Sequence, residues 1–377
     1  MLRASNHGSD SDMLVKIISS TCFGEKSCDI ALLFRRMIQS YHEEDSSLAS
    51  IEACSLSARM LSAIPTARKI NMVGTYSVYG LKVGNVDYRC TWRELLAKGS
   101  YNYVYTSDLV ANNGTPGPAV VKITVQNDKD LRVYLLENVI HAILYSLPQT
   151  RDYVVPILGA FKVRQSGYPM YKLGTIMSDP GRGHLGEWIE EHLKNDEQAF
   201  AVLTQIAWIL HQAQTSLCFE HRDLKCDNIM VSSTTQLTSS VRVPELGLTY
   251  SFPTFGIKCL LIDFGMSRLE LNGEYIACDC IHTRVTFNKC HDLQNFCCTL
   301  LEDYEPELKQ SAPRFYKWMR ALCAPLYKKI LQTWPDYPSA SSSKKHERLS
   351  HTVNKEKHHV FIPGRMLKLL KEHYQRE

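Results

Sequence analysis

The chain has 377 residues, 43 Lys and Arg against 39 Asp and Glu, and 44% hydrophobic residues, which suits two or three packed domains and excludes a disordered or fibrous chain. No stretch reaches the roughly 18 apolar residues of a membrane span, so no membrane partner is expected. The opening Met1-Leu2-Arg3-Ala4-Ser5 lacks the apolar core of a signal peptide, so an intracellular place is expected, with the 13 cysteines as reduced thiols.

Residues 1–85 present no nameable chemistry and are read as an N-terminal extension of unknown role. Ile30 to Tyr41 has helical periodicity, and Ser46 to Ala63 is a small-residue stretch that reads as helix. Beyond them, Leu96-Ala97-Lys98-Gly99-Ser100-Tyr101-Asn102-Tyr103-Val104-Tyr105 matches the phosphate-covering pattern G-x-G-x-x-G-x-V at Gly99 and Val104 only. Ala97 and Asn102 stand where the outer glycines would be. Glycine serves there because the backbone must come close to the phosphates and can take positive φ. Ala97 adds one methyl and Asn102 tolerates left-handed backbone, so weakened nucleotide binding is expected, not its loss.

Ala119-Val120-Val121-Lys122 reads as an apolar strand ending in lysine. Leu136, Val139, Ile140, Ile143, Leu144 and Leu147 recur at helical spacing and predict an amphipathic helix that holds Glu137. Glu137 is either a solvated helix charge or the acid that pairs with Lys122 and fixes it against phosphates; the strand-end lysine favours the pair. Gly174 to Pro180 reads as an apolar strand breaking into a hinge, with Met177 as the candidate guard of an adenine pocket or as plain core.

The densest signal is Phe219-Glu220-His221-Arg222-Asp223-Leu224-Lys225-Cys226-Asp227-Asn228. It fills H-R-D-L-x-x-x-N without a mismatch. Phosphoryl transfer needs a carboxylate to orient an attacking hydroxyl and an oxygen ligand for magnesium, and Asp223 and Asn228 supply both on one loop. Leu261-Ile262-Asp263-Phe264-Gly265 then adds a second metal-binding carboxylate at the end of an apolar strand. Asp292 is expected to open a helix that anchors the catalytic loop, or to be stabilised simply as a helix N-terminal carboxylate. Cys278, Cys280, His282, Cys290, His291, Cys297 and Cys298 crowd together without C-x-x-C spacing, so buried free cysteines are expected in preference to zinc.

From Lys344 to Glu377 there are nine Lys or Arg against four Asp or Glu. This basic tail is either a solvated run or a segment that weakly contacts nucleic acid or serves nuclear import. Met366-Leu367-Lys368-Leu369-Leu370 reads as a short amphipathic helix that could dock on the body.

Over about residues 86 to 335 the chain resembles the eukaryotic protein kinase superfamily, and within it the haspin-like branch. Phe219-Glu220 directly before His221 is shared with that branch. So are the long insertion from Ser232 to Phe255, the run Ser267-Arg268-Leu269-Glu270 with Asn272-Gly273 and Cys278-Asp279, and the missing Ala-Pro-Glu segment. The chain departs from it at Lys225-Cys226-Asp227, where a histidine-tryptophan-glycine is usual, and at the intact Phe264-Gly265.

The resemblance implies an α+β, two-lobed protein kinase fold: a small β-rich N-lobe over 86–177, a larger helical C-lobe over 178–335, and the tail 336–377. It implies an ATP- and Mg2+-dependent serine/threonine kinase acting on a protein substrate. In that reading Asp223, Lys225 and Asn228 are catalytic, and Asn228 and Asp263 bind the metal. Gly99, Val104, Lys122, Glu137 and Met177 meet ATP in the cleft. A core histone tail as substrate and a nuclear, chromatin-associated place are implied by the resemblance alone. Without a standard activation segment, activity without activation-loop phosphorylation is expected. The rival readings are a pseudokinase scaffold, supported by the two missing glycines, and a small-molecule kinase of related fold.

Overall fold

The computed structural model describes residues 68–73, 76–83, 86–98, 102–111, 117–124, 128–164, 171–271, 274–277, 287–355 and 358–375. The chain divides into two compact units. One runs to Asp179 and includes Glu270–Cys280; the other is Pro180–Leu269 with Ile281–Glu377. One is rich in strands and the other in helices, which is the expected α+β arrangement of a small β-rich lobe and a larger helical lobe.

The first unit is built on one antiparallel sheet. Its strands are β1 (Arg68–Val73), β2 (Tyr76–Val83), β3 (Val86–Lys98), β4 (Asn102–Ala111), β5 (Gly117–Thr124), β6 (Ile157–Arg164) and β7 (Tyr171–Ser178), in the order β1-β2-β3-β4-β5-β7-β6. The sheet therefore begins at Arg68, upstream of residue 86. Side chains alternate across a strand, so Val121 and Ile123 enter an apolar layer with Cys90, Phe161 and Ile176, while Lys122 between them faces the other way. Gly174 lets the Phe161 ring cross β7: a methyl there would sit 2.2 Å from the ring.

Helix α1 (Asp128–Ser146) follows β5. It buries Leu136, Val139, Ile140, Ile143 and Leu144 at the predicted spacing, and Pro148 stops its continuation.

In the second unit, β8 (Gly181–His184) leads into α2 (Leu185–His192), capped by reciprocal His184 and Glu187 bonds. Helix α3 (Asp196–Leu217) starts where the Asn195 side chain accepts the Gln198 amide at 3.0 Å and ends on Cys218 in left-handed backbone. After the loop that carries His221 to Asn228 come β9 (Ile229–Ser233), β10 (Thr238–Val243), β11 (Leu248–Pro253) and β12 (Ile257–Leu261). Strands β12, β9 and β8 form one small sheet in that order. The chain continues through β13 (Arg268–Leu271), β14 (Glu274–Ala277), α4 (His291–Asp303), α5 (Glu305–Ser311), α6 (Pro313–Thr333), α7 (Ser342–Lys355) and α8 (Pro363–Gln375).

The insertion is itself a hairpin. β10 and β11 pair from Thr238 with Pro253 to Val243 with Leu248, and strict alternation buries Val241, Val243, Leu248, Tyr250 and Phe252. Residues 342–375, read from sequence as part of a basic tail, fold as α7 and α8 and enter the core. Leu349, Val353, Met366, Leu367 and Leu370 are buried there. Tyr374 of α8 stacks on Tyr250 at 5.9 Å, and His373 stacks on Phe200 at 3.8 Å while bonding Glu197 at 3.0 Å. Leu367, with 0% exposure, is expected to lose about 2–5 kcal/mol of unfolding free energy as Leu367→Ala, read by urea denaturation. A loss within error would mean that α8 is not part of the cooperative core.

Candidate active site

The small sheet of the second unit sets the candidate site residues by register. β9 and β12 pair antiparallel with Ile229 opposite Leu261, so Asn228 and Ile262, one step further, lie side by side. The Ile262 amide donates to the Asn228 carbonyl at 3.1 Å. Asp263, the next residue, stands exposed with φ of 62°. That backbone is unfavourable for a non-glycine residue by about 1–2 kcal/mol. The 24-residue stretch from Ser232 to Phe255 keeps Ser232 and Ser233 in this pair, opposite Lys258 and Ile257, and leaves it only beyond them, at the end away from Asn228 and Asp263. The hairpin therefore leaves the register at Asn228 and Asp263 undisturbed.

Asn228 is 5% exposed and its side-chain nitrogen is committed: it donates to the Asp223 carbonyl at 2.8 Å and to Asp223 Oδ2 at 3.0 Å. Lys225 Nζ lies 3.4 Å from the same carboxylate oxygen. The loop thus gathers Asp223, Lys225 and Asn228 around one carboxylate, with Asp263 one residue beyond the paired strand.

What holds this loop is a set of buried polar groups. Asp292, at the start of α4, accepts the His221 amide and the Arg222 amide, both at 2.8 Å. Arg222 has φ of 68°, and the Asp292 carboxylate is what fixes its amide in that conformation. Burial alone would raise the Asp292 pKa. The His291 hydrogen bond and charge, the His221 ring and the Arg222 amide outweigh it and hold the carboxyl below the ordinary aspartate range. Asn295, one turn along α4, donates to the Leu224 carbonyl at 3.0 Å. The helix thus holds the loop from below, as expected of Asp292.

His221 is fully buried; its Nε2 bonds the Ile262 carbonyl at 2.9 Å and its ring lies 5.5 Å from that of Phe264. Phe264, also fully buried, packs at 6.2 Å from Phe219.

The contact that sequence reading did not find is Glu220 with Arg268. Both are nearly buried and form a salt bridge, and their main chains exchange two bonds of 2.9 Å. Glu220 also accepts the Asn288 amide at 2.8 Å. Burial, and then the nearby Asp292 charge, push the Glu220 carboxyl up in spite of Arg268. Opposite charges next to His221 and just past Asp263-Phe264-Gly265 were the signal available.

In the first unit, Lys122 Nζ bonds Glu137 Oε1 at 2.5 Å, with both side chains largely buried. Val104 stands opposite Lys122 across β4 and β5 and opposite Ala97 across β3 and β4. Gly99 lies outside the described residues, between β3 and β4 in sequence. Met177, half-buried on β7, stands opposite Val120 and Ile157. His141, one turn beyond Glu137, bonds the Val155 carbonyl at 2.6 Å, and burial lowers its pKa to about 4, so it is neutral.

Among the described residues, Cys290, Cys297 and Cys298 are buried free thiols, and burial pushes Cys297 and Cys298 well up. Cys278, Cys280 and His282 lie outside the described residues. Among those residues no helix is long and apolar enough to cross a membrane.

Comparison with known proteins gives the site a context. The model of the haspin-like kinase domain matches residues 183–356. The serine/threonine-protein kinase haspin of Mus musculus is 36% identical over 93 residues, 25% of this chain and 12% of that protein. The enzyme of the same description from Bos taurus is 34% identical over 93 residues, with the same shares. The matched stretch thus spans about an eighth of the length of these curated relatives.

Proposed function

We propose that this chain is a haspin-like protein kinase that transfers the γ-phosphate of ATP to a serine or threonine hydroxyl of a protein, a reading supported by the haspin-like kinase domain model matched over residues 183–356. The observation that carries this reading is the register that sets Asn228 beside Ile262, and so gathers Asp223, Asn228 and Asp263 on one paired-strand frame.

The donor set suits magnesium. Asp263 offers an exposed carboxylate, and Asn228, its amide nitrogen occupied by Asp223, offers its side-chain oxygen; both are hard oxygen ligands. Bound there, magnesium would neutralise charge on the phosphates. Asp223 orients the substrate hydroxyl and takes its proton. Lys225, beside it, neutralises charge on the group in transfer. Lys122, held by Glu137, grips the α and β phosphates. Gly99 and Val104 belong to the loop that covers them, and Met177 guards the adenine. The buried Glu220–Arg268 pair supports activity without activation-loop phosphorylation, because it fixes the segment after Asp263 by internal charge.

The substrate we infer is a core histone tail, and the place a nucleus. The basic segment makes at most a weak contact with nucleic acid: Arg348 is engaged by Asp336 at 2.9 Å, and Lys345 lies over the Tyr337 ring. The second reading, a scaffold that binds nucleotide without turnover, rests on Ala97 and Asn102 in the places of two glycines.

Labelled phosphate transfer from Mg-ATP decides among these, offering a core histone tail peptide beside generic protein substrates. Incorporation into the tail is expected, with Asp223→Asn lowering the rate by about 10²–10⁴-fold and Asp263→Ala removing it. Incorporation only into other proteins would discard the histone substrate. No incorporation above the Asp263→Ala background, with ATP still bound, would establish the scaffold.

A further inference from the structure

Three buried polar side chains of the first unit close a hydrogen-bonded ring that reaches the backbone of Lys122, the residue whose side chain pairs with Glu137. Tyr134 and Asn138 sit on α1 at positions i and i+4, one on each side of Glu137 in sequence. Thr175 sits on β7, opposite Lys122 of β5. The three are 4%, 6% and 3% exposed.

The Tyr134 hydroxyl lies 3.0 Å from the Lys122 carbonyl and 2.5 Å from Thr175 Oγ1. Thr175 Oγ1 donates to Asn138 Oδ1 at 2.5 Å, and Asn138 Nδ2 donates to the Tyr134 carbonyl at 2.7 Å. With the Thr175 proton given to Asn138, the single Tyr134 proton is shared between Thr175 and the Lys122 carbonyl. The ring therefore ties one face of α1 to β7, and through Tyr134 to the backbone of the residue whose side chain meets Glu137.

A helix packed on a sheet by apolar side chains alone can roll, since dispersion and burial are not directional. One residue of rotation is about 100°, enough to carry Glu137 away from Lys122. Directional bonds from Tyr134 and Asn138 remove that freedom, because neither can be kept when α1 turns. Breaking them would strand buried polar atoms, which is costlier than losing an exposed hydrogen bond.

We propose that Tyr134, Asn138 and Thr175 are positioning residues that lock the rotation of α1 and so keep Lys122 paired with Glu137 in the absence of nucleotide. This rests on the kinase reading only for its consequence in ATP binding; the lock itself is a property of the unit. It acts as an internal substitute for a partner or a modification that would otherwise hold the helix in place.

The test is the reactivity of Lys122. A lysine amine held by a carboxylate stays protonated and reacts slowly with an acylating reagent, and a released one reacts faster. Acetic anhydride labelling of the full chain without ATP, read by mass spectrometry against the other lysines, is applied to wild type, Thr175→Val, Thr175→Ser, Tyr134→Phe and Glu137→Gln. Thr175→Val keeps the shape and removes only the hydroxyl, and thermal melting verifies that each variant is folded.

The expected result is Lys122 labelling faster by about five- to tenfold in Thr175→Val and Tyr134→Phe, with Thr175→Ser restored to the wild-type rate. In turnover, KM for ATP rises in the same two variants by more than kcat falls. Wild-type labelling in both, while Glu137→Gln accelerates it, would overturn the lock. The labelling needs no ATP, so it decides the lock even if the wild type transfers no phosphate, a result that would overturn the kinase reading alone.

Discussion

Asp292→Ala is expected to disable phosphate transfer and to destabilise the second unit more than any exposed substitution. The carboxylate is fully buried and serves two amides, that of buried His221 and that of half-buried Arg222. Removing it leaves both unpaired, at about 1–3 kcal/mol each, and frees Arg222 to leave its left-handed backbone. Arg222 adjoins Asp223, so relaxation there moves the carboxylate proposed to receive the substrate proton; a displacement of about 1 Å can cost about 10²-fold in rate. Asp292→Asn keeps one acceptor but turns an NH₂ towards the other amide, and should fall between wild type and alanine.

The pH dependence follows from the direction of the shift. The folded pKa of Asp292 lies below the ordinary aspartate value, so its stabilisation is complete above that value and is lost as pH falls through the lower, folded one. Urea unfolding at neutral pH should therefore separate wild type from both variants, and the gap should close only in acid, below the ordinary aspartate value. Equal unfolding midpoints at neutral pH would show that water replaces the carboxylate.

The Glu220–Arg268 pair should behave differently when broken on one side and on both. Glu220→Gln or Arg268→Met alone leaves an unbalanced buried group and should cost about 3–5 kcal/mol. Glu220→Leu with Arg268→Met leaves no charge behind, and a large part of that loss should return. Phosphate transfer should not return with it, because the apolar pair cannot accept the Asn288 amide or fix the segment after Asp263 by charge. Burial and Asp292 raise the Glu220 pKa above the ordinary glutamate value. The wild type therefore gains from this group as pH falls towards that value and loses the gain as pH rises through the folded one. A double-mutant cycle read by unfolding and by initial rates gives both numbers, and additive losses would show that the two side chains act independently.

The sequence made the site legible where chemistry demands a residue type at a fixed place. His221-Arg222-Asp223, Asn228, Asp263 and Asp292 could be picked out because their roles tolerate few substitutes. Helix α1 was legible because its buried residues recur along one face, and Glu137 followed from Lys122. Strands β1 and β2 were not, since Arg68–Val73 and Tyr76–Val83 are short, lack clean alternation and include Gly80. The insertion was seen as an interruption although Val241, Val243, Leu248, Tyr250 and Phe252 alternate as a hairpin should. The ring of Tyr134, Thr175 and Asn138 had no local signal at all: its members lie up to 41 residues apart, and nothing near Thr175 announces a buried hydroxyl. Long-range polar contacts of this kind are set by the fold, not by neighbours along the chain.

The docking of α8 has a consequence for how the molecule comes to be folded. Glu197 meets His373 across 176 residues, and Thr204 meets Tyr374 across 170. Such distant pairings close large loops, so they form late and slow the approach to the native state. During synthesis α3 and the hairpin are made well before α8. A chain extended only to residue 362 would leave Phe200 without the His373 ring and Tyr250 and Phe252 without the Tyr374 ring that packs on them. Nascent chains at that stage are the ones most exposed to aggregation and most in need of a chaperone. The unit that holds Asp223 and Asp263 is thus completed only by a segment made well after them, and products terminated before α8 should be cleared before they reach a catalytic form.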